Sequence, residues 1–483
     1  MYLGLDLGTS GLRAVLVDGA GQVLASSDQA YPVSHPHSGW SEQDPADWTR
    51  ATERALDALK ASHPGELAAL KAIGLSGQMH GATLLDDANA ILRPAILWND
   101  TRPASEAAAM DADPAFRAIS GNIVFPGFTA PKLAWVKTHE PEIFARVAMV
   151  LLPKDYLRFW LTGDHVSDMS DSAGTSWLDV GARSWSAELL EKSGMRPDQM
   201  PRLVEGSEVS GTLRAELASR WGLSSAVKVV GGGGDNAASA CGVGCFDEGD
   251  GFVSLGTSGV LLAAKGSFAP DPETAVHTFC HSIPDTWYQM GVILAATDCL
   301  NWLSAQTGSK PAELSALLPE TIEGPGTIRF LPYLSGERTP HNDAEIRGAF
   351  VNLSIGDGHK ELTQAVMECV GIALKDKHEA LKATGTKLTR LLAIGGGAQS
   401  DYWVELIATL LNLPIDLPED GEFGAALGAA RLAIVGDTGA APSEVMTRPA
   451  IARTIHPRSE LIAAYDEAYA QYRALYPALK EAL

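Results

Sequence analysis

The stretch Asp6-Leu-Gly-Thr-Ser-Gly11 decides the fold, because its last five residues occur again as Leu255-Gly-Thr-Ser-Gly259, about half the chain later. Each copy follows one short apolar run and precedes another, which predicts a strand, a tight turn and a second strand. Glycine lets the backbone approach a ligand closely, and amide N–H groups with Thr and Ser hydroxyls form a cup for anionic oxygens. A chance match of small turn residues is the alternative. The shared position and flanking pattern favour two similar halves, each offering one phosphate-binding hairpin to a common cleft.

The composition limits the class of protein and its partners. A chain of 483 residues, 46% apolar and 20% charged, predicts a globular protein of two or three domains. The net charge of −22 at pH 7 argues against nucleic acid and against an anionic membrane, because both need a basic surface. A phosphate ligand stays compatible with an acidic surface, since backbone amides and a metal ion can supply a local positive field.

Cysteine usage and the N-terminus predict the compartment. The five cysteines form no C-x-x-C pair, which suits a reducing cytoplasm and provides no thiolate metal site. The first residues lack a basic signal-peptide region, and no apolar run reaches the ~18 residues of a membrane span. We therefore expect a soluble, cytoplasmic protein.

The order of elements predicts an α/β protein. Residues 1–30 alternate in a way that indicates three antiparallel strands, and Asp44 before Pro45 indicates the start of a helix. A strand over 227–230 leads into four glycines and then Asp235. An Ala- and Gly-rich segment over 422–435 predicts a closely packed helix. A boundary near 244–250 divides the chain into residues 1–245 and 246–483.

Three Gly-rich segments each follow a predicted strand. They lie at 8–11, 256–259 and 395–397, and two of them carry hydroxyls beside the glycines. Together they indicate an adenosine-phosphate cleft. The common alternatives do not fit, because the sequence has no G-x-x-x-x-G-K-[ST] loop, no convincing dinucleotide G-x-G-x-x-G motif and no H-E-x-x-H metal motif.

Phosphoryl transfer needs charge neutralisation, in-line positioning and a carboxylate that accepts a proton. Asp6 ends the first strand beside the first hairpin, where it could hold Mg²⁺ directly or through water. Arg13, just past that hairpin, could add positive charge, and Asp235 is a plausible base. Turn hydrogen bonding for Asp6 and helix capping for Asp235 remain the structural alternatives. For Asp168 and Asp171 we expect turn and N-cap roles.

The motifs together carry a resemblance to a known family. They are Asp6-Leu-Gly-Thr-Ser-Gly11, Gly77-Gln-Met-His-Gly81, Leu97-Trp-Asn-Asp100, Gly233-Gly-Asp-Asn236, Leu255-Gly-Thr-Ser-Gly259 and Ile394-Gly-Gly-Gly397. With further matches at 40–45, 126–133, 152–156 and 331–341, the sequence resembles the FGGY carbohydrate kinases over essentially its whole length. The second family signature departs at Asn352, where the family has Gly. Because Asn tolerates positive φ, we expect that turn to survive.

The resemblance implies a fold and a division of labour. The fold is α/β, with two ribonuclease-H-like domains of the actin/Hsp70/sugar kinase superfamily around a central catalytic cleft. Residues 1–245 would bind the sugar, with the catalytic Asp235 at their end, and residues 246–483 would bind ATP. Asp6 would serve the magnesium–phosphate end.

The resemblance also implies the site residues. Those expected to bind the sugar are Gln78, Met79, His80, Asp235 and Asn236. Those expected to bind ATP are Gly8, Thr9, Ser10, Arg13, Gly256, Thr257, Ser258, Thr297, Asn301, Gly396, Gly397 and Asp401. On local sequence alone, Met79-His80 could equally be a buried core pair.

The expected reaction is ATP- and Mg²⁺-dependent phosphorylation of D-xylulose at its C5 hydroxyl. Met79-His80 stands where glycerol kinases carry Arg-Glu, which favours a pentulose. Ribulose, gluconate and glycerol remain alternative acceptors, and a non-enzymatic actin/Hsp70-like ATP-binding interaction protein is the distant alternative. We expect no nucleic-acid or membrane partner, and a homodimer is possible.

Overall fold

Two mixed seven-stranded sheets form the framework of the protein. The structure is a computed structural model that describes residues 1–419 and 424–482. The first sheet is built from strands between Tyr2 and Gly234, and the second from strands between Gly251 and Ile455.

The first half contains fifteen described strands and eleven described α-helices. The strands are β1 (Tyr2–Leu7), β2 (Gly11–Val17), β3 (Val23–Ala30), β4 (Glu42–Gln43), β5 (Ala72–Gly77), β6 (Thr83–Leu85), β7 (Ala95–Ile96), β8 (Met149–Leu151), β9 (Val166–Asp168), β10 (Leu178–Asp179), β11 (Ser184–Trp185), β12 (Arg202–Val204), β13 (Val209–Thr212), β14 (Lys228–Val230) and β15 (Gly233–Gly234). The helices are α1 (Pro45–Ser62), α2 (Pro64–Ala68), α3 (Ala104–Asp111), α4 (Pro114–Ser120), α5 (Thr129–His139), α6 (Pro141–Phe144), α7 (Pro153–Thr162), α8 (Met169–Ser172), α9 (Ala187–Ser193), α10 (Ala215–Trp221) and α11 (Asp235–Val243).

The second half contains nine described strands and seven described α-helices. The strands are β16 (Gly251–Leu255), β17 (Gly259–Lys265), β18 (His277–Cys280), β19 (Trp287–Ile293), β20 (Arg329–Leu331), β21 (Ala349–Val351), β22 (Leu391–Ile394), β23 (Ile415–Pro418) and β24 (Ile451–Ile455). The helices are α12 (Thr297–Thr307), α13 (Pro311–Ser315), α14 (His359–Ala383), α15 (Asp401–Leu411), α16 (Ala425–Thr438), α17 (Pro442–Val445) and α18 (Ile462–Ala482).

The two sheets repeat one strand order. The first runs β3-β2-β1-β5-β14-β13 and the second runs β19-β17-β16-β22-β23-β24, with β18 added at its edge. In both, three antiparallel strands are followed by two parallel ones and a final antiparallel strand. The predicted two-domain α/β fold built on a repeated hairpin is confirmed.

Both copies of the repeated stretch form hairpin turns. In the first, Leu7 pairs with Leu12 across β1 and β2, and in the second, Leu255 pairs with Gly259 across β16 and β17. In both turns the first glycine amide donates to a carbonyl at the far side, at 3.0 Å for Gly8 and 3.1 Å for Gly256. The three-stranded opening and the Asp44 cap of α1, which accepts from Ala46 N at 2.9 Å, agree with the sequence predictions.

Helix α16 belongs to the second half of the chain but packs on the first sheet. Its Ala- and Leu-rich face joins Val15, Val17 and Ala72 in one buried cluster, while its opposite face contacts α11. A Cβ at Gly4 or Gly74 would overlap a carbonyl oxygen of α16, so glycine allows this close approach. The predicted helix over 422–435 is observed from Ala425 onward; residues 420–423 lie outside the described part.

A second hydrophobic cluster is also shared by the two halves. It lies between the sheets, whereas two larger clusters each stay within one half. Its aromatic and sulfur-containing members include Met79, Phe125 and Phe128 from the first half and Phe252, Phe279 and Tyr288 from the second. The cleft therefore has a common apolar floor. Among the described residues, no helix is long and apolar enough to cross a membrane.

Candidate active site

A cavity of about 270 Å³ opens between the halves, above the shared cluster. First-half side chains form one wall and the strands β16, β17 and β19 form the other. Its lining residues are Met79, His80, Trp98, Gly127, Phe128, Asp235, Asn236, Ser254, Ser258, Val260, Met290, Val292 and Arg338. Of the predicted sugar-binding residues, this cavity brings together Met79, His80, Asp235 and Asn236.

Asp235 is the first residue of α11 and follows directly on β15. Its Oδ1 accepts hydrogen bonds from the backbone N of Asn236 at 2.7 Å and from Asn236 Nδ2 at 2.9 Å. Burial, together with the negative charge of Asp6, raises the pKa of Asp235 to about 7. A carboxyl with this pKa is suited to accept a proton near neutral pH.

A buried ion cluster lies behind the loop that carries Asp235. Lys154 Nζ contacts the carboxylates of Asp155 at 2.5 Å, Asp168 at 2.6 Å and Asp171 at 3.3 Å, all fully buried. These three carboxylates lie close enough together to bind a metal ion, but the ammonium group of Lys154 contacts all three. Asp168 also caps α8, as the sequence predicted.

The ion cluster reaches the Asp235 loop through two contacts. Arg158, which also faces Asp155, donates to the carbonyl of Gly231. Ser170 Oγ donates to Asp168 at 2.5 Å and accepts from Gly234 N at 3.1 Å. The glycines before Asp235 are thus fixed by buried polar groups.

Asp6 lies at the end of β1, partly buried, with Ser76 as its neighbour in β5. Burial raises the pKa values of both Asp235 and Tyr31, and the negative charge of Asp6 raises them further. Asp6 and Asp235 both belong to the first half: Asp6 lies on β1 and Asp235 follows β15, and both strands pair with β5. The carboxylate of Asp6 is an oxygen donor of the kind that a hard divalent cation such as Mg²⁺ binds.

Gln78 holds the first hairpin rather than lining the cavity. Its Nε2 donates to Gln43 Oε1 at 2.8 Å, and its Oε1 accepts from Thr9 Oγ1 at 3.3 Å. Gln43 Nε2 in turn donates to the carbonyl of Thr9 at 2.6 Å. Trp98 Nε1 donates to Thr9 Oγ1 at 2.9 Å, so the hairpin is tied to the cavity wall.

His80 adopts φ of 68°, uncommon for a residue other than glycine. Its carbonyl accepts from Lys132 Nζ at 2.7 Å and Thr129 Oγ1 at 3.1 Å, and its ring stacks on Phe128. Burial lowers the pKa of His80 to about 3, so the ring is neutral. Nδ1 donates to the carbonyl of Gly174 at 2.8 Å, which leaves Nε2 as an acceptor.

Met79 is buried and forms part of the cavity floor. Its Sδ lies 3.9 Å from the Tyr288 hydroxyl, and its side chain packs against Gly234 just before Asp235. The sequence left a core role open for the Met79-His80 pair. In the structure both side chains are buried, Met79 within the shared hydrophobic cluster, and both line the cavity.

The second hairpin is fixed to the start of α12. Thr297 donates both its backbone N, at 3.0 Å, and its Oγ1, at 2.8 Å, to the carbonyl of Gly256. The tip residues Thr257 and Ser258 are exposed. At the equivalent point of the first hairpin, Ser10 is exposed and Gly8 and Thr9 are partly exposed.

A second cavity of about 410 Å³ lies at the ends of β16, β22 and β23. Ser254, in the position equivalent to Asp6, lines both this cavity and the first one. Gly396 and Gly397 form the short turn after β22, where a Cβ at Gly397 would crowd Leu255. The two cavities therefore meet beside the second hairpin.

Three predicted ATP-binding residues lie at the periphery. Arg13 Nη1 binds Asp28 at 3.0 Å on the neighbouring strand, with other interactions besides. Asp401 pairs with Arg453 in an exposed ion pair. Asn301 is exposed on α12.

The first cavity (the sugar-sized cavity) is also lined by Trp98, Phe128, Ser254 and Arg338. The sequence predicted no lining role for these four residues. The available signal was the resemblance, because Trp98, Phe128 and Arg338 lie in stretches that match the family.

In the second family signature, Asn352 has φ of 70° and its Nδ2 donates to the carbonyl of Thr327 at 3.0 Å. The expectation that Asn352 would keep the turn is confirmed.

Comparisons with known proteins match both halves. The N-terminal domain model of the FGGY family of carbohydrate kinases matches residues 1–242, and the C-terminal domain model matches residues 251–436. The chain is 47% identical to the xylulose kinase of Escherichia coli (strain K12) over 482 residues, which cover 99% of both chains.

Solved structures of sugar kinases match the fold of this chain over almost its full length. A crystal structure of a "xyloylose kinase" from Brucella ovis is 60% identical, with a TM-score of 0.98 and 100% coverage of both chains. A gluconate kinase from Lactobacillus acidophilus is 26% identical with a TM-score of 0.92, covering 99% of this chain and 97% of that one.

Proposed function

The chain belongs to the FGGY family of carbohydrate kinases, and from that premise we propose that it transfers the γ-phosphate of ATP to D-xylulose, forming D-xylulose 5-phosphate. The similarity to the E. coli xylulose kinase over almost the entire chain supports this acceptor. The observation that carries the chemistry is the Asp235 carboxyl, which lies in a cavity walled by both halves and has a pKa of about 7.

Asp235 is the general base in this proposal. The two hydrogen bonds from Asn236 fix Oδ1 and leave Oδ2 for the acceptor hydroxyl. Accepting the hydroxyl proton as the oxygen attacks phosphorus avoids charge accumulation on the sugar. The negative charge of Asp6 favours this transfer, because it raises the proton affinity of Asp235.

Met79 and His80 position the sugar. The neutral His80 ring offers Nε2 as a hydrogen-bond acceptor, and Met79 supplies an apolar floor beside Asp235. Because both halves wall the cavity, their approach would exclude water and limit wasteful ATP hydrolysis.

The phosphate end lies between the two hairpins. The exposed hydroxyls of Ser10, Thr257 and Ser258, with the backbone amides beside them, suit phosphate oxygens. The adenosine would follow the second cavity along the turn at Gly396 and Gly397. Asp6 would hold Mg²⁺, directly or through water, and the bound ion would neutralise phosphate charge.

The experiment that tests the base is Asp235→Asn, assayed by coupled ADP release. Asparagine keeps the shape and can still accept from Asn236, but it cannot accept the proton. We expect kcat to fall about 10²–10⁴-fold, with sugar still bound in calorimetry and cooperative unfolding retained. Near-normal turnover of this variant would refute the assignment.

A panel of acceptors separates the alternatives. We expect the highest kcat/KM with D-xylulose, and lower values with ribulose, gluconate and glycerol. A higher kcat/KM with gluconate, the acceptor for which the L. acidophilus gluconate kinase is named, would change the proposed acceptor to gluconate. The proposed reaction, transfer of phosphate from ATP to a sugar-derived hydroxyl, would remain. The distant alternative, a non-enzymatic ATP-binding interaction protein, predicts that no sugar causes ADP release.

Assembly and location complete the proposal. We propose a cytoplasmic enzyme that forms a homodimer; the exposed apolar side chains Leu353 and Ile355 are compatible with burial against a second copy. Light scattering of the purified protein tests this, and a monomer at micromolar concentration would exclude the dimer.

A further inference from the structure

Arg338 is the one positively charged side chain among the described residues that line the sugar-sized cavity. It comes from the second half, on the segment between β20 and β21, and faces a wall built largely by the first half. Asp235 is the only other formally charged lining residue, since the His80 ring is neutral. The cavity thus has one acidic and one basic group.

The backbone on both sides of Arg338 is anchored. Glu337, fully buried, binds Lys377 Nζ of α14 at 2.9 Å and accepts from Arg338 N at 2.7 Å. Thr339 Oγ1 donates to the carbonyl of Ala275 at 2.9 Å and accepts from Val292 N at 3.3 Å. These contacts hold Arg338 in the cavity wall without using its guanidinium.

The guanidinium itself has an aromatic neighbour but no ion-pair or hydrogen-bond partner among the described residues. Its Cζ lies 4.8 Å from the ring centre of Phe125. Burial lowers the pKa of Arg338 only to about 10, so the group stays charged at neutral pH. A partly desolvated guanidinium with unused donors favours a ligand that supplies acceptor oxygens.

Arg338 and Asp235 have different neighbours in the cavity wall: Arg338 lies over Phe125, whereas Asp235 follows Gly234, against which Met79 packs. Burial lowers the pKa values of His80 and His277, and the positive charge of Arg338 lowers both further; His80 stacks on Phe128, and His277 lies beside Phe125. The pKa of Asp235 is governed instead by burial and Asp6. For a five-carbon chain whose reacting hydroxyl lies at Asp235, Arg338 is the other charged group among the described lining residues that can meet the far end of the chain.

We propose that Arg338 binds the carbonyl end of the acceptor sugar and makes the site select a ketose over the corresponding polyol. A guanidinium carries only donors, and a ketone oxygen carries only acceptor lone pairs. A polyol presents a hydroxyl there instead, whose hydrogen needs another acceptor and whose oxygen is a weaker match. This inference rests on the proposed sugar kinase activity and assigns its selectivity to one residue.

The test compares Arg338→Gln with wild type on D-xylulose and xylitol, its reduced form. We expect wild type to favour the ketose at least about tenfold in kcat/KM, and Arg338→Gln to raise the ketose KM about 10–100-fold while changing the xylitol KM much less. Arg338→Lys, which keeps one donor direction, should restore part of the preference. Arg347→Gln is the matched control and should keep wild-type selectivity, because Arg347 is on the same segment and its Nη1 donates to the backbone carbonyls of Ala344 and Ile346.

Several outcomes would overturn the inference. An unchanged ketose KM in Arg338→Gln would do so, and so would equal losses for both acceptors, which indicate a structural role only. If Arg338→Gln loses cooperative thermal unfolding, Arg338→Lys carries the same comparison. If wild type releases no ADP with any ketose, the proposed function fails; calorimetric binding of D-xylulose and xylitol to wild type and variants then decides the role of Arg338 by itself.

Discussion

The ionisation of the Asp235 carboxyl predicts how the reaction depends on pH. Its pKa is about 7 in the free protein, and only the ionised form accepts a proton. We expect kcat/KM for the sugar to rise about tenfold per pH unit below that value and to level off above it. The measurement is a pH series at constant free Mg²⁺. A flat profile between about pH 5.5 and 8.5 would contradict the role of Asp235, whereas the residual activity of Asp235→Asn should lack this dependence.

The buried ion cluster predicts different costs for two similar substitutions. Burial and its acidic neighbours raise the pKa of Asp171 well above its usual value, which favours its neutral form, and the two cations Lys154 and Arg158 face the carboxylates of Asp155 and Asp168. Asp171→Asn should therefore change the free energy of unfolding by less than about 1 kcal/mol. Asp168→Asn removes a charge that binds Lys154 and should cost about 3 kcal/mol or more. Urea unfolding of both variants at pH 7 measures this, and equal costs would contradict the charge balance.

Single residues differ in how well the sequence predicts their role. The place of Asp235 in the cavity wall could be predicted because four glycines and Asn236 mark its turn locally. The cavity position of Arg338 could not, because it is set by Glu337 binding Lys377, a residue 40 positions later on α14. Gln78 shows a third case: its motif indicated the site, but its amide is used by Gln43 and Thr9 instead of the cavity.

At the scale of elements, α16 depends on glycines where helix and neighbours meet. A Cβ at Gly428 would overlap the carbonyl oxygen of Ala238 on α11, and neither backbone can move alone. Gly428→Ala should therefore destabilise the protein by at least about 2 kcal/mol, measured by urea unfolding. Gly65→Ala is the matched control: Gly65 is exposed in α2 with open space around it, so alanine should stabilise by about 0.5–1 kcal/mol. Equal changes in the free energy of unfolding for the two substitutions would contradict the idea that the close packing of α16 makes Gly428 necessary.

Local elements were predictable and their long-range partners were not. The hairpins and the cap at Asp44 depend on neighbouring residues, so their patterns are visible in the sequence. The small residues of α16 indicated close packing, but not against which surface. Its partner is a sheet face formed by residues near positions 2, 15 and 72, far earlier in the chain.

At the scale of the whole molecule, the two halves should not fold independently. Residues 1–245 lack α16, so the sheet face around Tyr2, Val15 and Ala72 would lie exposed. We expect this fragment alone to aggregate or to bind a hydrophobic dye, and to become soluble when co-expressed with residues 246–483. Cooperative thermal unfolding of the isolated fragment, with the circular dichroism of a folded α/β domain, would contradict this.

The position of α16 late in the chain also sets the order of events during synthesis. About 200 residues separate Val230, at the end of β14 in the first sheet, from Ala426, which corresponds to about 10–40 s of translation. Throughout that interval the nascent chain carries a nearly finished sheet with one bare apolar face. We therefore expect the ribosome-bound chain to bind chaperones that shield apolar surface. Slower translation between these two points would lengthen the time for which the apolar sheet face is exposed.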